Sequence, residues 1–472
     1  MFEEKLNSLF SPKLRKSLII VSFLSGFLCL LFLRYSHGHI NKTVMFYMAI
    51  AFFMCLIVFY KNSLNKYEIS IFCFLCVQLF SVIPKPSGMD SLVSTSYLLS
   101  YRYGVSSRSL IATIVDFLSN GSFISRIFIW HFIFCVTVFL SFIISVYLGE
   151  VIQKAKDDIK IFLVFLSLLY LSCFTAPTAY YVSGNYGRVE IFAFLFMLLL
   201  IVIIDKPIIR WLIPLLALFV LATHLILVFF YIPFVIIMLL YELFTKTEKV
   251  KQTVLLLVVT VVIISLSFLL YLLFHEKTFV FEDAHRFFEC LSTKSDLNFT
   301  ERFLHMTMFS GLQEHLNEWK NATGFYYYGN FSIVINIPLI LLFIFFWIRC
   351  YFMESKKIMK FFFLLPVIIL PYQFLSFLMF FDFGRWMIMM LNIQFMTVFY
   401  LAFRRNETVI SAAQITIPFI KKNSFLIILI CLIMIFLGPV TDMRPSDRTL
   451  RFFIRFFKGL IQLIKHLRNM AM

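Results

Sequence analysis

The sequence predicts an all-α, polytopic integral membrane protein, with about 12–13 transmembrane helices and two sizeable outer loops. Three observations predict it. Of 472 residues, 61% are hydrophobic and 14% are charged. Mean hydropathy is +0.92. Apolar runs long enough to cross a hydrocarbon core recur along the whole chain, whereas a membrane β-barrel would show short alternating segments. The net charge of +17 would point to nucleic acid in a soluble protein. In a membrane protein it reads as the Lys/Arg excess of cytoplasmic segments, so no nucleic-acid partner is expected and the lipid bilayer is.

The chain opens on a polar stretch, MFEEKLNSLFSPKLRKS. The apolar run that follows has no small-residue cleavage site behind it, so it reads as a retained first span with a cytoplasmic N-terminus. Thirteen spans are expected, at 18–33, 44–60, 69–83, 127–149, 161–176, 191–204, 207–222, 225–244, 252–274, 331–349, 361–380, 386–403 and 424–438. The run 208–241 is too long for one helix, and Ala222-Thr223-His224 is its natural turn. Together residues 1–440 read as one membrane domain. Residues 441–472 form a basic amphipathic tail, RTLRFFIRFFKGLIQLIKHLR, suited to an anionic leaflet.

Nine cysteines sit almost wholly within apolar runs. Cys73 and Cys76 form a CxxC, but one helical turn apart within an expected span they read as small packing residues. Only Cys290 falls in a large polar loop, so no disulfide framework is implied.

Two outer loops are large, 84–126 and 275–330. The second carries helical pieces at 283–291 and 300–316, with Phe299, Phe303 and Met306 on one stripe. The first contains KPSGMDSLVSTSYLLSYRYGVSSRSLIATIVD (85–116), which sets Asp90, Arg102, Arg108 and Asp116 among tyrosines and serines. Charges held at the edge of a bilayer need a reason. Short turns bring more to the same side: Tyr180, Tyr181, Arg188 and Glu190 from TAPTAYYVSGNYGRVEIF, His224, and Asp382 with Arg385 from FFDFGRWM. The long loop adds His285.

Ser106 or Ser107 is placed to cap a helix through Phe117 that is too short to span. Arginines 102, 108, 188 and 385 can bind phosphate in bidentate fashion. A carboxylate among them stays ionised and can accept a proton from an alcohol. The combination fits sugar transfer from a lipid-linked phosphate or pyrophosphate donor. Plainer readings stand beside it: each arginine as a snorkelling anchor, Asp382 paired with Arg385, and Tyr180 and Tyr181 as interfacial belt residues. No Walker A, GxSxG or HExxH sequence is present, so ATP-driven and standard hydrolase chemistry lack support.

The pieces YRYGVSSRSL, GNYGRVEIF and FDFGRWM, with the Phe/Leu/Ile-rich spans, outward arginines, late outer loop and basic tail, resemble Wzy-type O-antigen or capsular polysaccharide polymerases; the related O-antigen ligases look similar in layout. The resemblance implies a cofactor-free, metal-independent transfer of glycan from undecaprenyl pyrophosphate on the outer face of the bacterial inner membrane, beside other polysaccharide-assembly proteins. On that reading Arg102, Arg108, Arg188 and Arg385 hold pyrophosphate with Tyr181 nearby, and Asp90, Asp382 or Glu190 is the base, with His224 or His285 as substitutes. Two alternatives are a GT-C transferase using polyprenyl-monophosphate sugar, with Asp90 as its carboxylate, and a non-enzymatic flippase of lipid-linked oligosaccharide. A flippase needs arginines along the bilayer interior; here they gather at span ends.

Overall fold

The computed structural model describes residues 12–35, 39–61, 63–173, 177–181, 185–206, 208–245, 250–274, 278–305, 308, 323–379 and 383–437. Helices account for almost all regular structure there. Three long helices lead: α1 (Pro12–Tyr35), α2 (His39–Lys61) and α3 (Lys66–Val82). The first long loop follows, with α4 (Ser91–Ser96) and α5 (Ser109–Ser119). Next come α6 (Arg126–Lys154), α7 (Asp157–Ser172), α8 (Glu190–Ile203), α9 (Ile213–Thr223), α10 (Tyr231–Thr245) and α11 (Val250–Phe274). The second long loop holds α12 (Ala284–Ser292). The chain continues as α13 (Thr323–Met353), α14 (Lys357–Met379), α15 (Phe383–Phe403), α16 (Glu407–Lys422) and α17 (Ser424–Leu437).

Each of the thirteen expected spans coincides with a helix, but four are too short to be full crossings on their own, α17 with 14 residues among them. Among the described residues nine helices are long and apolar enough to cross a membrane, ten if α16 and α17, bent by 88° at their junction, count as one broken span. The other three are α3 with 17 residues, α8 with 14 and the stretch Ile209–Thr223. At 1.5 Å per residue α8 is about 21 Å long, against a hydrocarbon core of about 30 Å. Residues 438–472, and with them the basic tail, lie outside the described residues.

α15 is the central helix. From Arg385 to Leu401 every side chain is buried, including Asn392, Gln394 and Thr397. The Gln394 amide finds partners inside the bundle: Trp347 donates through Nε1 to Gln394 Oε1 at 2.7 Å, and Gln394 Nε2 donates to the Pro366 carbonyl at 3.1 Å. α8 and α15 run parallel, because they are ion-paired at both ends. Glu190 meets Arg385 at their starts, and Asp205 meets Arg404 just past their ends, at 2.5 Å. Arg404 also reaches Glu242 of α10 at 2.7 Å, and Tyr400 donates to that carboxylate at 3.2 Å. This second charge group, with Glu242 buried, Arg404 half-buried and Asp205 exposed, is not among the residues the sequence singles out.

The two long loops fold onto each other. The Ile124 N–H donates to the Lys294 carbonyl at 2.8 Å, Ser295 Oγ donates back to the Ile124 carbonyl at 2.7 Å, and Arg126 N–H donates to Asp296 Oδ1 at 2.6 Å. Further along, Val280 N–H donates to the Tyr103 carbonyl at 3.1 Å. The expected piece 283–291 is α12, capped by Asp283, which accepts from the Arg286 N–H. Of the piece 300–316, a single turn Glu301–Leu304 is described; Met306 lies outside the described residues.

Candidate functional site

The residues that build the site come from four places in the chain. Arg108 immediately precedes α5. Glu190 is the first residue of α8, following the turn that carries Arg188. His224 sits in extended backbone (φ −163°, ψ 121°) between α9 and the 3-10 turn Leu225–Val228. Arg385 lies in the first turn of α15. The backbone fixes two of these in register, because the Leu225 N–H donates to the Ser107 carbonyl at 3.1 Å. That bond sets Arg108 opposite His224.

The side chains form one continuous chain of contacts. Arg385 Nη1 donates to Glu190 Oε1 at 2.9 Å. His224 Nδ1 lies 3.0 Å from the same oxygen, and Arg108 Nε lies 3.1 Å from His224 Nε2. Arg385 and Glu190 are each 1% exposed and His224 is 5% exposed, so the group lies in a low-dielectric setting, with half-buried Arg108 at its edge. Arginine Nε carries a hydrogen and only donates, so Nε2 of His224 must be the acceptor. The imidazole proton therefore sits on Nδ1 and is donated to Glu190. This is a neutral histidine in one fixed tautomer, oriented by a carboxylate that an arginine keeps ionised. Glu190 Oε2 is buried and has no hydrogen-bond partner among the described residues.

Aromatic side chains wall the group. Arg385 stacks over the Trp386 ring at 4.9 Å, and Trp386 stacks on Phe230 at 5.4 Å. Tyr180 and Tyr231 hydroxyls meet at 3.4 Å, and both rings are buried. Tyr180 is thus not an interfacial belt residue: at 1% exposure it faces the bundle, where its hydroxyl has a partner. Tyr231 is not among the residues the sequence singles out; a tyrosine within an apolar run carried no pattern signal. Tyr97, also buried, donates through its hydroxyl to the Gly187 carbonyl at 2.6 Å and so fixes the turn before Arg188. Arg188, 5% exposed, is buried in that turn, with its N–H donating to the Asn185 carbonyl at 3.0 Å.

The other sequence candidates fall elsewhere. Asp90 is the N-cap of α4, where Oδ1 accepts from the Leu92 N–H at 2.9 Å. Arg102 is exposed on the 3-10 turn Tyr101–Tyr103, with its guanidinium beside Gly121. His285 is exposed on α12, 3.1 Å from Glu301 and 3.5 Å from Glu289, and the Glu301 contact raises its pKa. Tyr181 ends the 3-10 turn Pro177–Tyr181. Asp382 lies outside the described residues; Arg385, read from sequence as its possible partner, pairs with Glu190. The cap of α5 is Arg108 itself, not Ser106 or Ser107. Ser106 Oγ is engaged with Ser109 Oγ at 2.7 Å and accepts weakly from the Arg108 N–H at 3.4 Å. No group of three or more His, Cys, Asp or Glu side chains among the described residues is placed to hold a metal ion. Compared with family models, curated proteins and solved structures, the chain matches none.

Proposed function

We propose that this chain is a membrane glycosyltransferase that moves lipid-linked oligosaccharide from polyprenyl pyrophosphate to an acceptor sugar, at the outer face of a bacterial inner membrane with the N-terminus in the cytoplasm. The observation that carries the reading is the buried chain Arg385–Glu190–His224–Arg108. It puts an imidazole of fixed tautomer next to guanidinium groups at one end of a helix bundle. Deprotonating a sugar hydroxyl calls for such a base, and a departing diphosphate calls for fixed positive charge. The starts of α5, α8 and α15 add their positive dipole ends at the same place. In this scheme Glu190 orients His224, His224 takes the acceptor proton, and Arg108, Arg188 and Arg385 supply the field for the leaving group.

Against a flippase stands the distribution of charge along α15. Its arginine lies at the start, Arg404 follows its end, and the buried polar residues between, Asn392, Gln394 and Thr397, are uncharged. A path for a diphosphate across the bilayer asks for cations in that stretch. Against the GT-C form stands Asp90, whose Oδ1 is committed to a helix cap.

The test is the surface-polysaccharide ladder of a deletion strain complemented with wild type, His224→Ala or Arg188→Ala. Single-repeat material on deletion, with neither variant restoring long chains at normal expression, is the result expected. Intact chain length lacking one sugar favours the GT-C form. Lipid-linked repeats trapped on the inner leaflet would favour the flippase.

A further inference from the structure

We propose that Arg108 is a displaceable cap on His224, and that the group that displaces it is the diphosphate of the donor. The inference rests on the glycosyl-transfer reading above and adds to it how the base is held off until substrate binds. As it stands, the only basic atom of the imidazole, Nε2, is occupied: its lone pair accepts from Arg108 Nε at 3.1 Å. A histidine capped in this way cannot take a proton from an alcohol. The other ring nitrogen is committed to Glu190. Catalysis at His224 therefore requires Arg108 to leave.

Three features make Arg108 the mobile partner. Arg385 and Glu190 are almost wholly enclosed, whereas Arg108 is half-buried at the edge of the group. Arg108 precedes α5 and has non-helical backbone (φ −138°, ψ 21°), so its side chain is not locked within a helix turn. And its bond to His224 is to a neutral imidazole. A guanidinium–phosphate contact is charge-assisted, bidentate and roughly twice as strong as a neutral hydrogen bond. A diphosphate arriving near the start of α5 wins the guanidinium and uncovers Nε2 in the same movement.

The step then balances. The acceptor hydroxyl gives its proton to His224 Nε2 while its oxygen bonds to the anomeric carbon of the donor. The bond from that carbon to the phosphate oxygen breaks, and the electron pair leaves with the diphosphate, whose charge Arg108 meets. The imidazolium formed keeps its Nδ1–H on Glu190, which an arginine holds ionised.

The experiment is histidine modification by diethyl pyrocarbonate on the full-length protein in detergent, read at His224 by peptide mass spectrometry, with exposed His285 as the reagent control. Wild type and Arg108→Gln are compared without ligand, with inorganic pyrophosphate, and with vesicles carrying undecaprenyl pyrophosphate or, as control, undecaprenol. Wild-type His224 is expected to be protected alone and to react on the order of tenfold faster with a diphosphate; Arg108→Gln is expected to react fast throughout. Acceleration by both diphosphates assigns recognition to the diphosphate itself, and acceleration by the vesicle alone assigns it to the lipid-linked form. If neither accelerates, or pyrophosphate slows the wild type, the cap is wrong. It is equally wrong if Arg108→Gln stays as protected as wild type. Should Arg108→Gln not accumulate as folded protein, the wild-type arms decide alone. A cap confirmed in a strain whose deletion leaves polysaccharide unchanged would retain the displacement and remove the glycosyl-transfer reading; an active transferase with an unresponsive His224 would do the reverse.

Discussion

Glu190 and Arg385 stand 195 positions apart and share one hydrogen bond of 2.9 Å in a setting where each is 1% exposed. The bond uses Oε1, the oxygen that His224 also contacts at 3.0 Å. One atom therefore both neutralises a buried guanidinium and orients an imidazole. Stability and the proposed function meet at this atom, and they can be separated.

Glu190→Gln removes the charge but keeps the shape. Arg385 then loses the Glu190 carboxylate, which costs about 3–5 kcal/mol for a broken buried pair. The double variant Glu190→Gln/Arg385→Met removes both charges and should recover most of that loss. It should recover no chain-length activity, because His224 has lost the anion that orients it. Thermal unfolding in detergent beside the polysaccharide ladder checks both halves. A double variant that regained activity with stability would reduce Glu190 to a structural role.

Gly187 has φ +88°, and a Cβ there would lie 2.6 Å from Ile133 Cδ1 and 2.9 Å from Val93 Cγ1. Its carbonyl also takes the Tyr97 hydroxyl. Gly187→Ala thus combines left-handed backbone strain with a clash, for a loss of about 1–3 kcal/mol, and should shift Arg188 next door. Tyr97→Phe loses only one hydrogen bond, about 1 kcal/mol. Activity per folded molecule should fall sharply in the first and modestly in the second, measured against protein recovered as a monodisperse peak. Equal effects would mean that this turn does not position Arg188.

At the far end of the same helices, Arg404 holds Asp205 and Glu242. Arg404→Ala leaves Glu242, 2% exposed, without its cation, and should cost about 3–5 kcal/mol of stability. Specific activity of the protein that does fold should stay near wild type. A large loss of specific activity at wild-type stability would assign this end a functional part.

How much of this was legible in the sequence depended on whether the signal was local. Helices announce themselves through runs of apolar residues, so each expected span lies on a helix. The lengths of α8 and of Ile209–Thr223 were less plain, because the boundary of an apolar run does not say where a turn such as the one carrying Arg188 begins. The charged residues at span ends were visible one by one, and Arg108, Glu190, His224 and Arg385 were all among them. Their partners were not. Asp382, three residues from Arg385, lies outside the described residues; the pairing of Arg385 with Glu190 joins the starts of two helices far apart in sequence, which no spacing rule encodes. Asp90 illustrates the opposite case: an acid before a Ser-Leu-Val run has the ordinary look of a helix cap, and it is one. The Asp205–Arg404–Glu242 group drew no attention because its members sit at the ends of three different helices and look like topology-setting charges.

The last prediction concerns pH and the loop that carries α12. The Glu301 contact raises the pKa of His285, with Glu289 and Asp283 adding to it. A group whose folded pKa lies above its unfolded value of about 6.5 stabilises the fold below that value, and the contribution is lost as pH rises through the folded pKa. The contact joins α12 to the Glu301–Leu304 turn, so that segment should be held more firmly at pH 6 than at pH 8. Limited proteolysis within 275–330 should accordingly be slower at pH 6, relative to a protease-matched control substrate. Glu301→Gln should remove most of the difference. His285→Ala should leave polysaccharide chain length unchanged, since this imidazole is exposed and pairs only with surface carboxylates among the described residues. A shortened ladder from His285→Ala would instead return it to the list of candidate bases that the sequence offered.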